Sequence, residues 1–197
     1  MKNGRLIYVV GPSGCGKDSV INYARARCPG KEAIFAHRYI TRPITLGSEN
    51  HIYLHPDEFK ARLDRNLFAL QWDSHGFRYG IGAEIDLWMD AGFPVIMNGS
   101  RAYLSEASSR YPNIVPILVT VETEILRQRL LARGRESGEE IESRLQRANA
   151  FGVEHPSLQT IDNSGELVEA GESLLKLVRG KLTRVRHGDQ NKISFSH

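Results

Sequence analysis

Residues 6–18 read LIYVVGPSGCGKD, and this stretch decides the fold. The five apolar residues Leu6 to Val10 suit a strand buried on both faces. A glycine-rich turn follows, and then a helical pattern runs to about Cys28, where Pro29 and Gly30 stop it. Gly11 to Lys17 therefore fits the phosphate-binding pattern G-x-x-x-x-G-K in the context that pattern requires, after a strand and before a helix. The glycines let backbone N–H groups form a nest for a β-phosphate, and the helix N-terminus adds partial positive charge. Lys17 is placed to bridge β- and γ-phosphates, where negative charge builds during phosphoryl transfer. A plain glycine turn has no need of lysine at that offset.

One position departs from the pattern. Asp18 stands where Ser or Thr normally offers a hydroxyl to Mg²⁺. A carboxylate binds Mg²⁺ as well, and Ser19 offers a hydroxyl one residue on, so the choice between Asp18 and Ser19 stays open. Gly11, Pro12, Ser13, Gly14, Cys15, Gly16, Lys17, Asp18 and Ser19 are the expected ATP contacts. Cys15 occupies an unconstrained loop position, and no histidine suggests itself as the partner a catalytic thiol needs.

The remaining chain agrees with an α/β protein. Its 197 residues suit one domain of ordinary size, and 41% hydrophobic with 25% charged residues is an ordinary globular composition. No apolar stretch approaches membrane-spanning length, and the first residues lack a signal-peptide pattern. Cys15 and Cys28 form neither a disulfide framework nor a metal motif and read as reduced thiols in a cytoplasmic protein. Net charge is +3, so the distribution of charge matters more than its sum. A basic C-terminal stretch (Lys176, Arg179, Lys181, Arg184, Arg186, Lys192) raises nucleic acid as a partner, but its polar end reads better as a solvated tail.

Short apolar runs alternating with helical patterns predict a parallel sheet covered by helices. Strands are expected at Ala33 to Ala36, Pro94 to Met97, Ile114 to Val121 and Ser157 to Ile161, with Pro116 near a strand start or at an edge. Helices are expected from Pro56 with Phe59 and Leu63 on one face, at Glu84 to Ala91, Glu122 to Ala132, Glu139 to Phe151 and Leu167 to Val178. Leu67 to Trp72 and Phe77 to Tyr79 read as a hairpin around Ser74-His75-Gly76, within a hairpin-rich insertion from Arg38 to Tyr79. Ligands of such sheets sit beyond the carboxyl ends of the strands.

Six arginines and four glutamates lie between Arg127 and Arg147. Arg129 and Arg133 share a helix face, Arg135 follows, and Arg144 and Arg147 lie three apart on the next helix. A helical hairpin presenting guanidinium groups suits a lid over phosphates. The competing reading, for any single arginine, is a salt-bridged solvated face with Glu136, Glu139, Glu140 and Glu142. In the insertion, Arg38, Arg42, Tyr53 and Tyr79 suit an anionic acceptor.

The GPSGCGK loop, Thr41-Arg42 with Gly47 beyond, Tyr79-Gly80, Arg129-Leu130, Arg133-Gly134 and Arg144-Leu145 resemble the guanylate kinase family, in order. That resemblance implies a P-loop, nucleoside-monophosphate-kinase-like three-layer fold with a parallel core sheet, an acceptor-binding insertion and a helical lid. It also implies ATP and Mg²⁺ as cofactors. The departures are informative. Thr45 replaces a second arginine, Ile81 follows the Tyr-Gly pair in place of Ser or Thr, and Leu70 stands where the guanine-reading glutamate belongs. A leucine accepts no hydrogen bonds, and losing such a contact costs discrimination of about 10⁴ or more.

HRYITR (37–42), GSENHI (47–52), YGIGAEIDLW (79–88), NGSR (98–101) and GKDS (16–19) more closely resemble the ribose 1,5-bisphosphate phosphokinases of bacterial phosphonate degradation, from about Leu6 to Val178. This implies ATP-dependent conversion of ribose 1,5-bisphosphate to 5-phospho-α-D-ribose 1-diphosphate, with no base to read. Lys17 and Mg²⁺ are assigned to the donor phosphates, and Arg129, Arg133 and Arg144 to the transferring group. Arg38, Arg42, Tyr53 and Tyr79 are assigned to the acceptor, with Asp86, Glu84, Asn98 and Arg101 as candidates for ribose hydroxyls; Glu84 and Asp86 read equally as solvated helix residues. Asn163 reads either as an adenine contact, by analogy with guanylate kinases, or as a turn residue. Asp86 is also the one candidate base for a kinase acting on a sugar hydroxyl, a rival reading alongside a GMP kinase and a non-catalytic protein-binding module.

The expected organisation is a single P-loop kinase domain over 1–185 and a flexible tail over 186–197. Its core spans about 1–36, 90–126 and 152–182, its acceptor-binding region about 37–89, and its lid about 127–151. The expected partner is a small sugar phosphate, with no nucleic acid and no membrane, and the sequence leaves a homodimer open.

Overall fold

In a computed structural model of the chain, residues 4–30, 32–43, 50–134, 137–150 and 152–180 are described. Leu6–Val10 forms β1, buried along its whole length, and the glycine loop leads into α1 (Lys17–Arg27). The short strands β2 (Ile34–Phe35), β3 (Arg38–Ile40) and β4 (His51–Tyr53) precede α2 (Pro56–Leu63), β5 (Phe68–Ser74) and β6 (Phe77–Gly82). Next come α3 (Glu84–Asp90), β7 (Val95–Asn98), a 3₁₀ turn at Arg101–Tyr103, α4 (Leu104–Arg110) and β8 (Val115–Thr120). The chain closes with α5 (Thr123–Arg133), α6 (Gly138–Ala150), β9 (Gln159–Asp162) and α7 (Leu167–Arg179).

Two sheets result. The core sheet runs β2-β7-β1-β8-β9 with every pairing parallel. The second runs β4-β3-β6-β5. The period of two along β1 separates the two faces of the core sheet. Leu6, Tyr8 and Val10 pack with residues of the second sheet, α3 and α4, whereas Ile7 and Val9 pack with α1 and α7. The result is a three-layer α/β P-loop fold with β1 at its centre.

Some elements differ from expectation. The stretch through Leu104–Arg110, which the sequence reading left unassigned, is helical. β3 and β4 pair in parallel, not as a hairpin. The predicted hairpin is present, and its turn places His75 at φ 51° and Gly76 at φ 77°, the left-handed pair that a tight turn between twisted strands needs. Pro116 lies near the start of β8, but β8 is interior, between β1 and β9. Thr45, Gly47, Arg135, Glu136, Phe151 and the tail over 186–197 lie outside the described residues.

Tyr8 anchors the turn after β7. Its buried hydroxyl donates to the Ser100 carbonyl and accepts from the Ser100 N–H, both at 3.0 Å, and Gly99 lies against its ring. A side chain at position 99 has no room there. Tyr8→Phe leaves both Ser100 backbone groups without that partner and is expected to lower unfolding free energy by about 1–3 kcal/mol, as read from the shift in urea midpoint.

Candidate active site

The glycine loop is held from below. Gly14 and Gly16 take φ of 93° and 90°, a backbone that side chains resist. Gly14 packs on Leu126 and Leu130 of α5, and Gly16 on the amide of Asn163. That amide donates to the Cys15 carbonyl at 2.7 Å, and Arg129 donates to the same oxygen at 3.5 Å. Asn163 is buried and is not among the residues that line the cleft. It ties the end of β9 to the loop. Cys15 is not unconstrained either: its side chain is fully buried in the cluster of Ile7, Val9 and Val119, with its sulfur 3.9 Å from the Lys17 ammonium.

Above the loop lies a cleft of about 560 Å³ at the carboxyl ends of the core strands. Lys17 donates to the carbonyls of Gly11 and Pro12 at 2.8 and 2.9 Å, which holds its ammonium over the loop. Arg144 reaches across from α6 to the Ser13 hydroxyl at 2.7 Å. α5 and α6 form a hairpin with its own small core of Leu126, Leu130, Ile141 and Leu145. The lid arginines divide. Arg127 pairs with Glu142 on the outside, as the salt-bridged reading has it, while Arg129, Arg133, Arg144 and Arg147 border the cleft.

The opposite wall belongs to the acceptor region. Arg38, Arg42, Tyr79, Asn98 and Arg101 all border the cleft. Thr41 donates its N–H to the Arg78 carbonyl at 3.1 Å, and its hydroxyl accepts from the Arg78 N–H at 2.9 Å, which fixes the strand end that carries Arg42. Tyr79 stacks on Trp72 at 5.5 Å, and Trp72 on Tyr103 at 5.7 Å, so the wall is a rigid aromatic column. Asp18 sits between the two sides. Its Oδ1 accepts from Asn98 at 2.9 Å and from Arg38 at 3.3 Å. Among the described residues, Lys17, Arg38, Arg42, Arg101, Arg129, Arg133, Arg144 and Arg147 border the cleft, against the single carboxylate of Asp18. Such a surface suits two polyanions held side by side.

Two candidates fall away from the cleft. Tyr53 lies on the outer strand β4 and is exposed. Asp86 lies on α3 and accepts from the Tyr111 hydroxyl at 2.6 Å and from Arg110 at 2.9 Å, a tie between α3 and α4. It does not line the cleft. Glu84 stays outside the cleft too, within 3.5 Å of the Tyr39 hydroxyl. The sequence reading missed Trp72, Ser74, His75 and Ser100 as cleft residues. The pairing of β5 with β6 and the bond from Tyr8 place them.

Leu70 and Ile81 are paired across the hairpin and buried in the core, away from the cleft. Among the described residues no group of three or more His, Cys, Asp or Glu side chains is placed to hold a metal. Asp18 and Ser19 do offer oxygens beside Lys17. Mg²⁺ in phosphate sites takes one or two protein oxygens and fills its shell with phosphates and water, so this donor set fits it. No described helix is long and apolar enough to cross a membrane.

The chain matches no family model. It is 49% identical over 183 residues to the ribose 1,5-bisphosphate phosphokinase PhnN of Psychromonas ingrahamii, covering 92% of this chain and 93% of that one. The proteins of the same name from Desulfomicrobium baculatum and Thiobacillus denitrificans are each 54% identical, covering 88% and 90% of this chain and 94% of each relative. Among solved structures, the guanylate kinase of Anaplasma phagocytophilum superposes with a TM-score of 0.67 at 15% identity, covering 90% of this chain and 86% of that one, a likeness of fold.

His75 borders the cleft, and burial together with the charges of Arg144, Arg147 and Arg42 lowers its pKa from the ordinary 6.5. Unfolded, His75 takes up its proton near that value, whereas folded it resists until lower pH. In that window the unfolded chain binds more protons, so this contribution is present above about pH 6.5 and lost as pH falls through the folded value. His75→Asn, whose side chain tolerates the left-handed backbone, should flatten the acid-side fall in stability measured by urea unfolding across a pH series.

Proposed function

The chain belongs to the ribose 1,5-bisphosphate phosphokinase family, and we propose that it transfers the γ-phosphoryl group of ATP to the 1-phosphate of ribose 1,5-bisphosphate, giving 5-phospho-α-D-ribose 1-diphosphate and ADP. The observations that carry this reading are the strongly cationic cleft and the apolar Leu70–Ile81 pair, which is buried in the core and offers a base no hydrogen bond.

The acceptor explains the chemistry of the wall. A phosphate monoester has its second pKa near 6, so the attacking oxygen is already ionised at pH 7 and no general base is needed. The barrier to overcome is repulsion between two polyanions. Lys17 and the loop N–H groups take the donor phosphates. Arg129, Arg133 and Arg144 face the transferring group, with Arg147 beside them, and Arg38, Arg42, Tyr79 and Arg101 take the acceptor. Each charge-assisted contact contributes about 1.5–3 kcal/mol. Closure of the α5–α6 hairpin over the loop excludes water from the reacting phosphates. Asp18 or Ser19 would hold Mg²⁺, and bound there the metal would supply charge neutralisation for the donor phosphates.

A GMP kinase requires a hydrogen-bonding group for guanine, and Leu70 and Ile81 supply none. A binding module without catalysis has no use for Lys17 over the loop with arginines above it.

³¹P NMR of the protein with ATP, Mg²⁺ and ribose 1,5-bisphosphate should show the diphosphate signals of 5-phospho-α-D-ribose 1-diphosphate, while a parallel tube with GMP should show no GDP. GDP in the second tube alone would make the chain an atypical guanylate kinase. Lys17→Ala should lower kcat by about 10²–10³-fold in a coupled ADP assay, with the circular dichroism spectrum retained.

A further inference from the structure

We propose that His75, at the tip of the β5–β6 hairpin, forms with Arg147 the subsite for the acceptor phosphate that does not react. The inference rests on the reading of the acceptor as a sugar bisphosphate and assigns its second anionic subsite.

The turn between β5 and β6 puts Ser74 and His75 on the border of the cleft, and His75 is exposed there. His75 takes φ 51° and Gly76 φ 77°. At those two positions a tight hairpin prefers Asn or Asp before Gly. Histidine is the less suited residue, so the turn by itself does not account for it. Left-handed backbone of this kind gathers at ligand contacts, and the cleft is where such a contact is to be made.

Three cations that border the same cleft act on His75: Arg144 and Arg147 from α6, and Arg42 from the segment after β3. On its own hairpin, Asp73 and Arg78 lie 3.9 Å apart and offset each other. Partial burial and the three arginines lower the pKa of the imidazole from 6.5, so the ring is neutral at pH 7. A phosphate dianion entering among these groups reverses the field at the ring. Opposite charge favours the imidazolium, so His75 takes a proton from solvent and gives the phosphate a charge-assisted hydrogen bond. The subsite gains this cation only when it is occupied.

Helix α6 decides which phosphate this is. Arg144 donates to the Ser13 hydroxyl at 2.7 Å, which sets it over the loop beside the reacting groups. Arg147 comes three residues later, about 4.5 Å further along the helix. It is exposed, and its Nε is held by the Ser143 carbonyl at 3.3 Å. Arg101 donates to the neighbouring Ala148 carbonyl, also at 3.3 Å. Positive charge thus continues nearly a helical turn past the arginine that touches the loop. ATP and the reacting phosphate fill the loop side, and the other anion of a bisphosphate falls to Arg147 and His75.

Ribose 5-phosphate carries the non-reacting phosphate alone, and ribose 1-phosphate the reacting one alone. Calorimetric titration of each at pH 7, in two buffers of different ionisation enthalpy, reads both affinity and protons taken up. His75→Asn keeps the turn, because asparagine accepts a left-handed backbone. It should weaken ribose 5-phosphate binding about 10–100-fold and ribose 1-phosphate binding far less. It should also remove the proton uptake that accompanies ribose 5-phosphate in the unaltered protein. Arg147→Gln, which leaves the turn untouched, should weaken the same ligand. Equal affinity of His75→Asn and the unaltered protein for ribose 5-phosphate overturns the subsite. A loss of the same size for ribose 1-phosphate overturns it by placing His75 at the reacting phosphate, and a loss confined to ATP by placing it at the donor. Weaker binding with an unchanged proton count overturns it as well, by reducing His75 to a part of the turn. Should ribose 1,5-bisphosphate go unconverted while ribose 5-phosphate still binds through His75, the reaction falls and the subsite stands.

Discussion

Cations from α1, β3, the turn after β7, α5 and α6 face one cleft, and like charges at such separations repel strongly where water is partly excluded. The folded chain holds them by giving several of them a nearby acceptor. Lys17 has the carbonyls of Gly11 and Pro12, Arg129 that of Cys15, Arg101 that of Ala148, and Arg144 the hydroxyl of Ser13. These acceptors are neutral. Each such contact fixes a cation in position without itself cancelling the charge. Arg38 is different, because its acceptor is the carboxylate of Asp18. Cations that stand in place before negative charge develops need little reorganisation when it does.

The same principle extends below the loop. Backbone N–H groups aimed at one phosphate require glycines in left-handed conformations, and such a loop is soft unless something holds it. Asn163 from the end of β9 and Leu126 and Leu130 from α5 fill the spaces against Gly16 and Gly14. The lid-bearing helix and the last core strand thereby both register on the loop. Movement of α5 bears directly on the surface that carries the donor phosphates.

How much of this could be read in the sequence depends on the range of the interaction involved. β1, the loop and α1 were legible because strand, turn and helix signals are local and contiguous there. The hairpin around His75-Gly76 was legible for the same reason. α4 was not, since LSEASSR has little apolar periodicity and its Leu104 and Ala107 matter only once the core sheet lies beneath them. Side-chain direction was the other blind spot. Arg38, Arg42, Tyr79 and Asn98 reach the cleft, but Tyr53 and Asp86, similar in type and close in sequence, do not, because sheet order and the Tyr111 tie decide their placement. Asn163 makes a contact with Cys15, 148 residues away, that no local pattern encodes.

The buried pair Leu70–Ile81 also bears on evolutionary reversibility. These residues share a core cluster with Trp72, Tyr79 and Ile85. A glutamate restored at position 70 would enter that cluster as an unpaired carboxylate, at a cost of several kcal/mol. A typical domain has only about 5–15 kcal/mol of stability in total. Base recognition there is therefore not reached by one tolerated substitution; the surrounding packing must change first. A substrate preference recorded in the core in this way behaves as a ratchet, held in place by the requirement to fold.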